Sequence, residues 1–234
     1  MEDAKELCVR IGSELLEEKP EDEILYLYLS DEGLSLCQAE LKLSCNLTKM
    51  LPRLNPRNLN GEMLVKASKF KNLEFPLTAV DATAGFGEDS LLLAAFGYDV
   101  TLFEYNPVIC ALLEDGLRRA ADNPALSGIV SRMHVHNADS TQALRNLGFT
   151  PDLVLLDPMF PERQKSGLIK KKFQLLQQLE SPCSTEEDLM SAAVAASPRR
   201  VVVKRPAKGP FLAGTKPSYS ITGDSIRYDC IVLR

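Results

Sequence analysis

From Leu77 to the C-terminus, apolar runs alternate with helix-like segments, and this alternation limits the possible folds more than any other feature of the chain. "LTAVDATAGFG" reads as a strand entering a turn of small residues. "EDSLLLAAFG" reads as a helix that opens on two acids and stops at Gly97. "YDVTLFE" is a strand ending at Glu104. "NPVICALLEDGLRRAAD" is a helix with Asn106 as N-cap and Pro107 in its first position. "RMHVHNAD" and "PDLVLLD" are strands ending near Asp139 and at Asp157. "STEEDLMSAAVAA" is a helix in which Ser184 and Glu187 are spaced as a capping box. "RRVVVKRP" is a strand, and "YSITGDSIRYDCIVLR" closes the chain as an antiparallel hairpin. Strands alternating with helices of this length predict an α/β fold: a mostly parallel, twisted sheet covered on both faces.

Residues before this pattern read differently. "EILYLYLSDEGLSL" predicts two short strands around the turn Ser30–Gly33, and "MLPRLNPRNLNGE" predicts a loop or linker. "GEMLVKASKF" resembles a helix leading into the larger unit. The expected organisation is a small N-terminal α+β region over 1–60 and a main domain over 61–234. The chain is 45% hydrophobic and 25% charged, which suits a packed globular core. Its six cysteines are scattered without a C-x-x-C pair, as expected of reduced thiols that serve packing. The acidic start is not a signal peptide and no stretch is long and apolar enough to span a membrane, so a soluble cytoplasmic protein is expected. His134 and His136 share a strand face, but two histidines without a third ligand do not make a metal site, and no metal is expected. Nothing in the pattern specifies an oligomer.

Charge is distributed unevenly. Residues 1–158 hold 14 Lys and Arg against 25 Asp and Glu, whereas residues 159–234 hold 13 against 7, so the net changes from −11 to +6. A local positive field binds phosphates whatever the total charge. Arg163, Lys165, Lys170, Lys171, Lys172, Lys204 and Arg205 are therefore candidate contacts for the phosphates of a nucleic acid.

The strand ends carry the chemistry, because ligands of such sheets lie beyond the carboxyl ends of the strands. Asp81, Gly85 and Gly87 lie on the first strand-to-helix turn. A dinucleotide fingerprint would require a third glycine where Ser90 stands, and Glu88 and Asp89 would repel a pyrophosphate at the helix start. The same acids suit a cationic ligand. Glu104, 17 positions after Gly87, is placed to accept two ribose hydroxyls, with Tyr105 flanking an adenine and Asp139 and Ser140 at its edge. Asp81, Glu104, Asp139 and Asp157 form a series of acids that fits S-adenosyl-L-methionine, a cation without phosphates, better than NAD.

"LLDPMFPERQKSG" then acquires a reading. An exocyclic aromatic amine is a poor nucleophile, because its lone pair is delocalised into the ring. The Asp157 carboxylate and the Pro158 carbonyl can accept its two N–H bonds, and Phe160 can stack on the base.

These segments resemble one known family. "GEMLVKA", "VDATAGFGEDSLLLAAFGYDVTLFEYNPVICALLEDGL", "LDPMFPERQKSGLIKKK" and "RVVVKRP" look like the ribosomal RNA small subunit methyltransferase J family, from about Gly61 to the C-terminus. The resemblance implies a Rossmann-like class I methyltransferase fold. It also implies methylation of a guanine N2 amine near the 3′ end of 16S ribosomal RNA, with naked rRNA or the 30S subunit as partner. Carried over, its cofactor contacts fall on Glu88, Asp89, Glu104, Tyr105, Asp139, Ser140 and Asp157. The basic, glycine-rich segment that the family carries before its "GE" motif reads here as "LPRLNPRNLNGE". Rival readings are an amine methyltransferase for another RNA, DNA or protein, a nicotinamide oxidoreductase, and a non-catalytic RNA-binding module.

Overall fold

The computed structural model describes residues 2–71, 76–158, 175–176, 178–179 and 185–234. Its main sheet has seven strands: β4 (Leu77–Asp81), β5 (Tyr98–Glu104), β6 (Met133–Asn137), β7 (Leu153–Leu156), β8 (Arg200–Pro206), β9 (Tyr219–Thr222) and β10 (Ile226–Val232). They run in the order β6-β5-β4-β7-β8-β10-β9. β6, β5, β4, β7 and β8 are parallel, and β10 is antiparallel to both β8 and β9. The chain leaves β4 toward β5 and β6 on one side and returns for β7 on the other. β4 is thus the switch point, where such sheets open a crevice for ligand.

Both faces of the central strands are buried, and successive residues alternate between two cores. Ala79, Val100, Leu102, Leu153, Leu155 and Val202 face one helical layer. That layer contains α4 (Met63–Ser68), α5 (Glu88–Phe96) and α6 (Pro107–Ala121). Val80, Val154, Leu156, Val201 and Val203 face the other layer, with α8 (Ser140–Arg145) and α9 (Glu186–Ala195). Leu91, Leu92, Leu93 and Ala94 are all fully buried, which accounts for a helix apolar on every side at the middle of the fold.

The N-terminal residues form helix α1 (Glu2–Ile11) and a three-stranded sheet of β1 (Tyr26–Ser30), β2 (Gly33–Gln38) and β3 (Leu41–Leu43). The predicted hairpin is present, with Ser30 opposite Gly33. Leu34 and Leu36 of β2 pack on Ala111 and Leu112 of α6. The Asp115 carboxylate accepts the Leu34 N–H at 3.0 Å, and Arg119 donates to the Cys45 carbonyl at 2.6 Å. A Cβ at Gly116 would collide with the Cys45 side chain, so a bare backbone is needed where the two regions meet.

Two expectations need correction. Residues 51–61, predicted as loop, are helical: α2 (Leu51–Leu54) and α3 (Pro56–Gly61). Their prolines sit in first turns, where no N–H is required, and Asn55 caps α3 by accepting the Asn58 N–H at 3.1 Å. The cap of α9 is Thr185 rather than Ser184, accepting the Asp188 N–H at 3.1 Å. The short helix α7 (Ser127–Val130) links α6 to β6. Among the described residues no helix is long and apolar enough to cross a membrane.

Candidate active site

Three loops meet at the carboxyl ends of β4, β5 and β7. After β4 the chain turns through Gly85 (φ +53°) and Gly87 (φ +70°), a left-handed conformation that disfavours other residues. A side chain at Gly87 would press into Leu113 of α6, whereas one at Gly85 would project into open space. The turn is held by Asp81, which is 2% exposed. One of its oxygens accepts the Thr83 N–H at 3.0 Å and the other the Ser90 hydroxyl at 2.6 Å. Burial pushes the Asp81 carboxyl up to about 7, against the pull of those two donors.

Glu104 reaches this turn from the end of β5. Its Oε2 accepts the Gly85 N–H at 2.9 Å and its Oε1 the Asn106 N–H at 2.8 Å. Two backbone N–H groups thereby orient the carboxylate. It lies beside the open side of Gly85. Asn106 caps α6, accepting from the Val108 and Ile109 N–H groups at 2.9 and 3.2 Å. Tyr105, between them, is 53% exposed.

Asp157 leaves β7 beside the same turn. Its N–H donates to the Thr83 hydroxyl at 2.6 Å, so one threonine ties the β7 loop to the β4 loop. Its carboxylate lies 2.8 Å from the Lys204 ammonium, which is also 2.8 Å from Asp89 at the start of α5. Burial works against the Lys204 charge, but Asp89 and Asp157 outweigh it and hold the ammonium above the usual lysine range. Tyr228 of β10, 3% exposed, stands opposite Lys204 in the β8–β10 register. Burial first, then Asp89, raises its hydroxyl pKa.

Residues 13–233 match the family model described as "Putative SAM-dependent methyltransferase". The ribosomal RNA small subunit methyltransferase J of Tolumonas auensis is 44% identical over 174 residues, covering 74% of this chain and 70% of that protein.

The chain belongs to the ribosomal RNA small subunit methyltransferase J family.

The namesake from Marinobacter nauticus is 43% identical over 175 residues, 74% of this chain. The chain spans 63% of that relative's length, slightly under two thirds. A solved SAM-dependent methyltransferase from Neisseria gonorrhoeae superposes with a TM-score of 0.79 at 30% identity, covering 100% of this chain and 92% of that one. The sheet order and the solved relative agree on the Rossmann-like methyltransferase fold expected from sequence.

Family membership makes S-adenosylmethionine the group to test against these residues, and they fit. The Glu104 carboxylate is presented beside open space at Gly85, as vicinal ribose hydroxyls require. The turn offers acids rather than a phosphate cradle, with Glu88 exposed and Asp89 partly so. Asp81 is brought to the site but faces the turn it holds. Asp139 and Ser140 follow β6, the neighbour of β5, where an adenine edge was expected. Asp139 is the cap of α8 and accepts from the Thr141 N–H at 2.8 Å. Burial works against its charge, yet the Thr141 and Gln142 donors hold its carboxyl below the usual range. Ser140 is 5% exposed.

The expected RNA contacts fare unevenly. Arg205 is 1% exposed and donates to Pro210 O at 2.9 Å and Glu186 at 3.0 Å, so it offers no surface to RNA. The reason is alternation along β8: the residue after the site-facing Lys204 points into the opposite layer. Lys204 is committed to two carboxylates. Arg163, Lys165, Lys170, Lys171, Lys172 and the stacking candidate Phe160 lie outside the described residues. Sequence reasoning missed Thr83, Ser90 and Tyr228 as parts of the site, and the two carboxylates that hold Lys204. No local signal marks the partners of Lys204, because they depend on β8 pairing with β7 in the sheet.

Proposed function

We propose that this chain uses S-adenosylmethionine to methylate the exocyclic N2 amine of a guanine in 16S ribosomal RNA, in the cytoplasm. The observation that carries this reading is the Asp157–Pro158 strand end, tied through Thr83 to the glycine turn that presents Glu104. An amine acceptor beside a nucleoside-binding carboxylate is the arrangement that amine methylation requires. The name shared by the relatives points to ribosomal RNA.

The cofactor would be held by Glu104 through its ribose, with Tyr105, Asp139 and Ser140 on the adenine side and Gly85 lining its path. Asp81 and Gly87 keep that turn in shape, and Glu88 and Asp89 favour a cation at the start of α5. When bound, it supplies a methyl group activated by a sulfonium. Asp157 accepts one amine N–H and the Pro158 carbonyl the other, which aims the nitrogen lone pair and lets the carboxylate take the proton released. Phe160 stacks on the extruded base. Phosphates are met by the basic residues after position 158, including Arg163, Lys165 and Lys170 to Lys172.

The test is transfer of labelled methyl to 30S subunits and to naked 16S rRNA from a strain lacking the mark, followed by mapping of the modified base. Label on one guanine N2 is expected. Label on another RNA, on DNA or on protein, with rRNA unmarked, overturns the substrate assignment.

A further inference from the structure

Lys204 Nζ lies 2.8 Å from Asp89 Oδ2 and 2.8 Å from Asp157 Oδ2. One of these acids opens α5 on the cofactor turn and the other ends β7 on the amine-binding loop. The lysine arises from β8, next to β7, one residue beyond the Leu156–Val203 pairing, so sheet register sets its height. Its side chain is only 25% exposed. Among the described residues, the titratable groups acting on it are Asp89 of α5, Asp157 after β7 and Tyr228 of β10. Arg53 of α2 is engaged by Glu62 through two 2.8 Å hydrogen bonds and acts on Asp89 through its charge alone.

We propose that Lys204 is a positioning residue for methyl transfer, an ammonium strut that fixes the Asp157 carboxylate relative to the cofactor turn. The inference rests on the amine-methyltransferase reading of the site and assigns Lys204 a role other than phosphate contact. Three features support it. The lysine joins the two loops whose separation sets the distance between nucleophile and methyl. It places a fixed positive charge where Asp89 and Asp157 would otherwise repel each other. A phosphate would have to strip it from both carboxylates in a partly dehydrated place, where breaking an ion pair is costly. Thr83 fixes the Asp157 backbone, and Lys204 fixes its side chain.

The test compares wild type with Lys204→Met, which keeps length without charge, and Lys204→Arg, which restores charge. The first readout is independent of turnover: an NMR titration of the Asp157 side-chain carboxyl. Removing the ammonium should move its midpoint upward by about one pH unit or more. The second is single-turnover transfer to unmarked 30S subunits across pH, with S-adenosylhomocysteine affinity measured by calorimetry. The Met variant should lose about ten- to a hundred-fold in rate, as a misplaced group does. Its acid limb should move to higher pH, while S-adenosylhomocysteine affinity stays within about threefold. Arg should recover part of the rate.

An unmoved carboxyl titration overturns the strut, as does a Met variant that keeps the wild-type rate and loses only RNA affinity. Loss of S-adenosylhomocysteine affinity in proportion to rate makes the lysine a general brace and also overturns it. A wild-type chain that labels no RNA, with the carboxyl titration still shifted by Lys204→Met, overturns the functional reading instead. Should the Met variant fail to fold, Lys204→Arg carries the decision: wild-type titration with an unchanged pH profile is expected, and a rate equal to background overturns the proposal.

Discussion

The carboxylates of Glu104 and Asp157 stand at the ends of strands on either side of β4, yet they are held by different means. Glu104 is oriented by two backbone N–H groups, from Gly85 and Asn106. Asp157 is oriented by a lysine side chain shared with a second acid. Backbone donors do not titrate and are not lost to mutation of their own side chains. An ammonium can be removed, displaced or outcompeted. The first arrangement suits a group that binds the same ribose in every cycle. The second suits a group whose charge must be controlled while an amine approaches and gives up a proton.

The largest effect expected from breaking this contrast is on the Asp157 side. Asp157→Ala removes an acceptor from the reacting amine but leaves the backbone link to Thr83 intact. Single-turnover transfer should fall by about 10²–10⁴-fold, the range for a positioned acid–base group, with the protein still folded. Transfer at the wild-type rate would leave the strand-end acid as no more than a partner for Lys204.

On the other side, Glu104→Ala should act on binding. Loss of charge-assisted hydrogen bonds to ribose should weaken S-adenosylhomocysteine binding by about 1.5–3 kcal/mol in calorimetry. The rate at saturating cofactor should change less than the affinity. A variant with normal affinity would remove the ribose role.

Asp81, beneath both, gives a pH test of a third arrangement: a buried carboxyl held by a hydroxyl and a backbone N–H. Its pKa rises from 3.8 to about 7. Between those values the folded chain keeps a proton that the unfolded chain releases, so its contribution to stability is full below the lower value and is lost as pH rises through the upper one. Asp81→Asn mimics the protonated acid and cannot ionise. Denaturant unfolding should show the variant gaining on wild type between pH 4 and 7, by roughly 1–3 kcal/mol, and levelling off above. A constant difference across that range would mean that Asp81 is ionised throughout.

What could be read from sequence divides along the same line. Strand ends, caps and glycine turns are local signals, and so β4 to β10, the Asn106 cap and the place of Glu104 and Asp157 were legible. Partners that depend on sheet order were not. Nothing local says that β8 lies beside β7, so Lys204 and Arg205 passed for a basic surface, although one points into the site and the other is buried against Glu186. Thr83 likewise looked like turn filler, because its partner is 74 residues away. The helices over 51–61 were hidden because prolines signal loops unless they fall in first turns.

The smallest effect tests whether the backbone N–H that Glu104 accepts at position 106 depends on its own side chain for position. Asn106→Ala deletes the side chain that caps α6 and that donates to the Leu179 carbonyl at 2.6 Å. It leaves the Asn106 backbone N–H, the group that Glu104 accepts. Unfolding free energy should fall by about 1 kcal/mol, the usual loss for an N-cap. Cofactor affinity should stay within about twofold, because a cap worth so little leaves the first turn of α6 formed in nearly every folded molecule. The measurement is calorimetric S-adenosylhomocysteine binding on Asn106→Ala alongside Glu104→Ala. If the two variants lose affinity alike, the N–H at 106 depends on its own side chain for position. The Glu104 carboxylate would then be as reliant on a side chain as Asp157, and the contrast between the two strand ends would not hold.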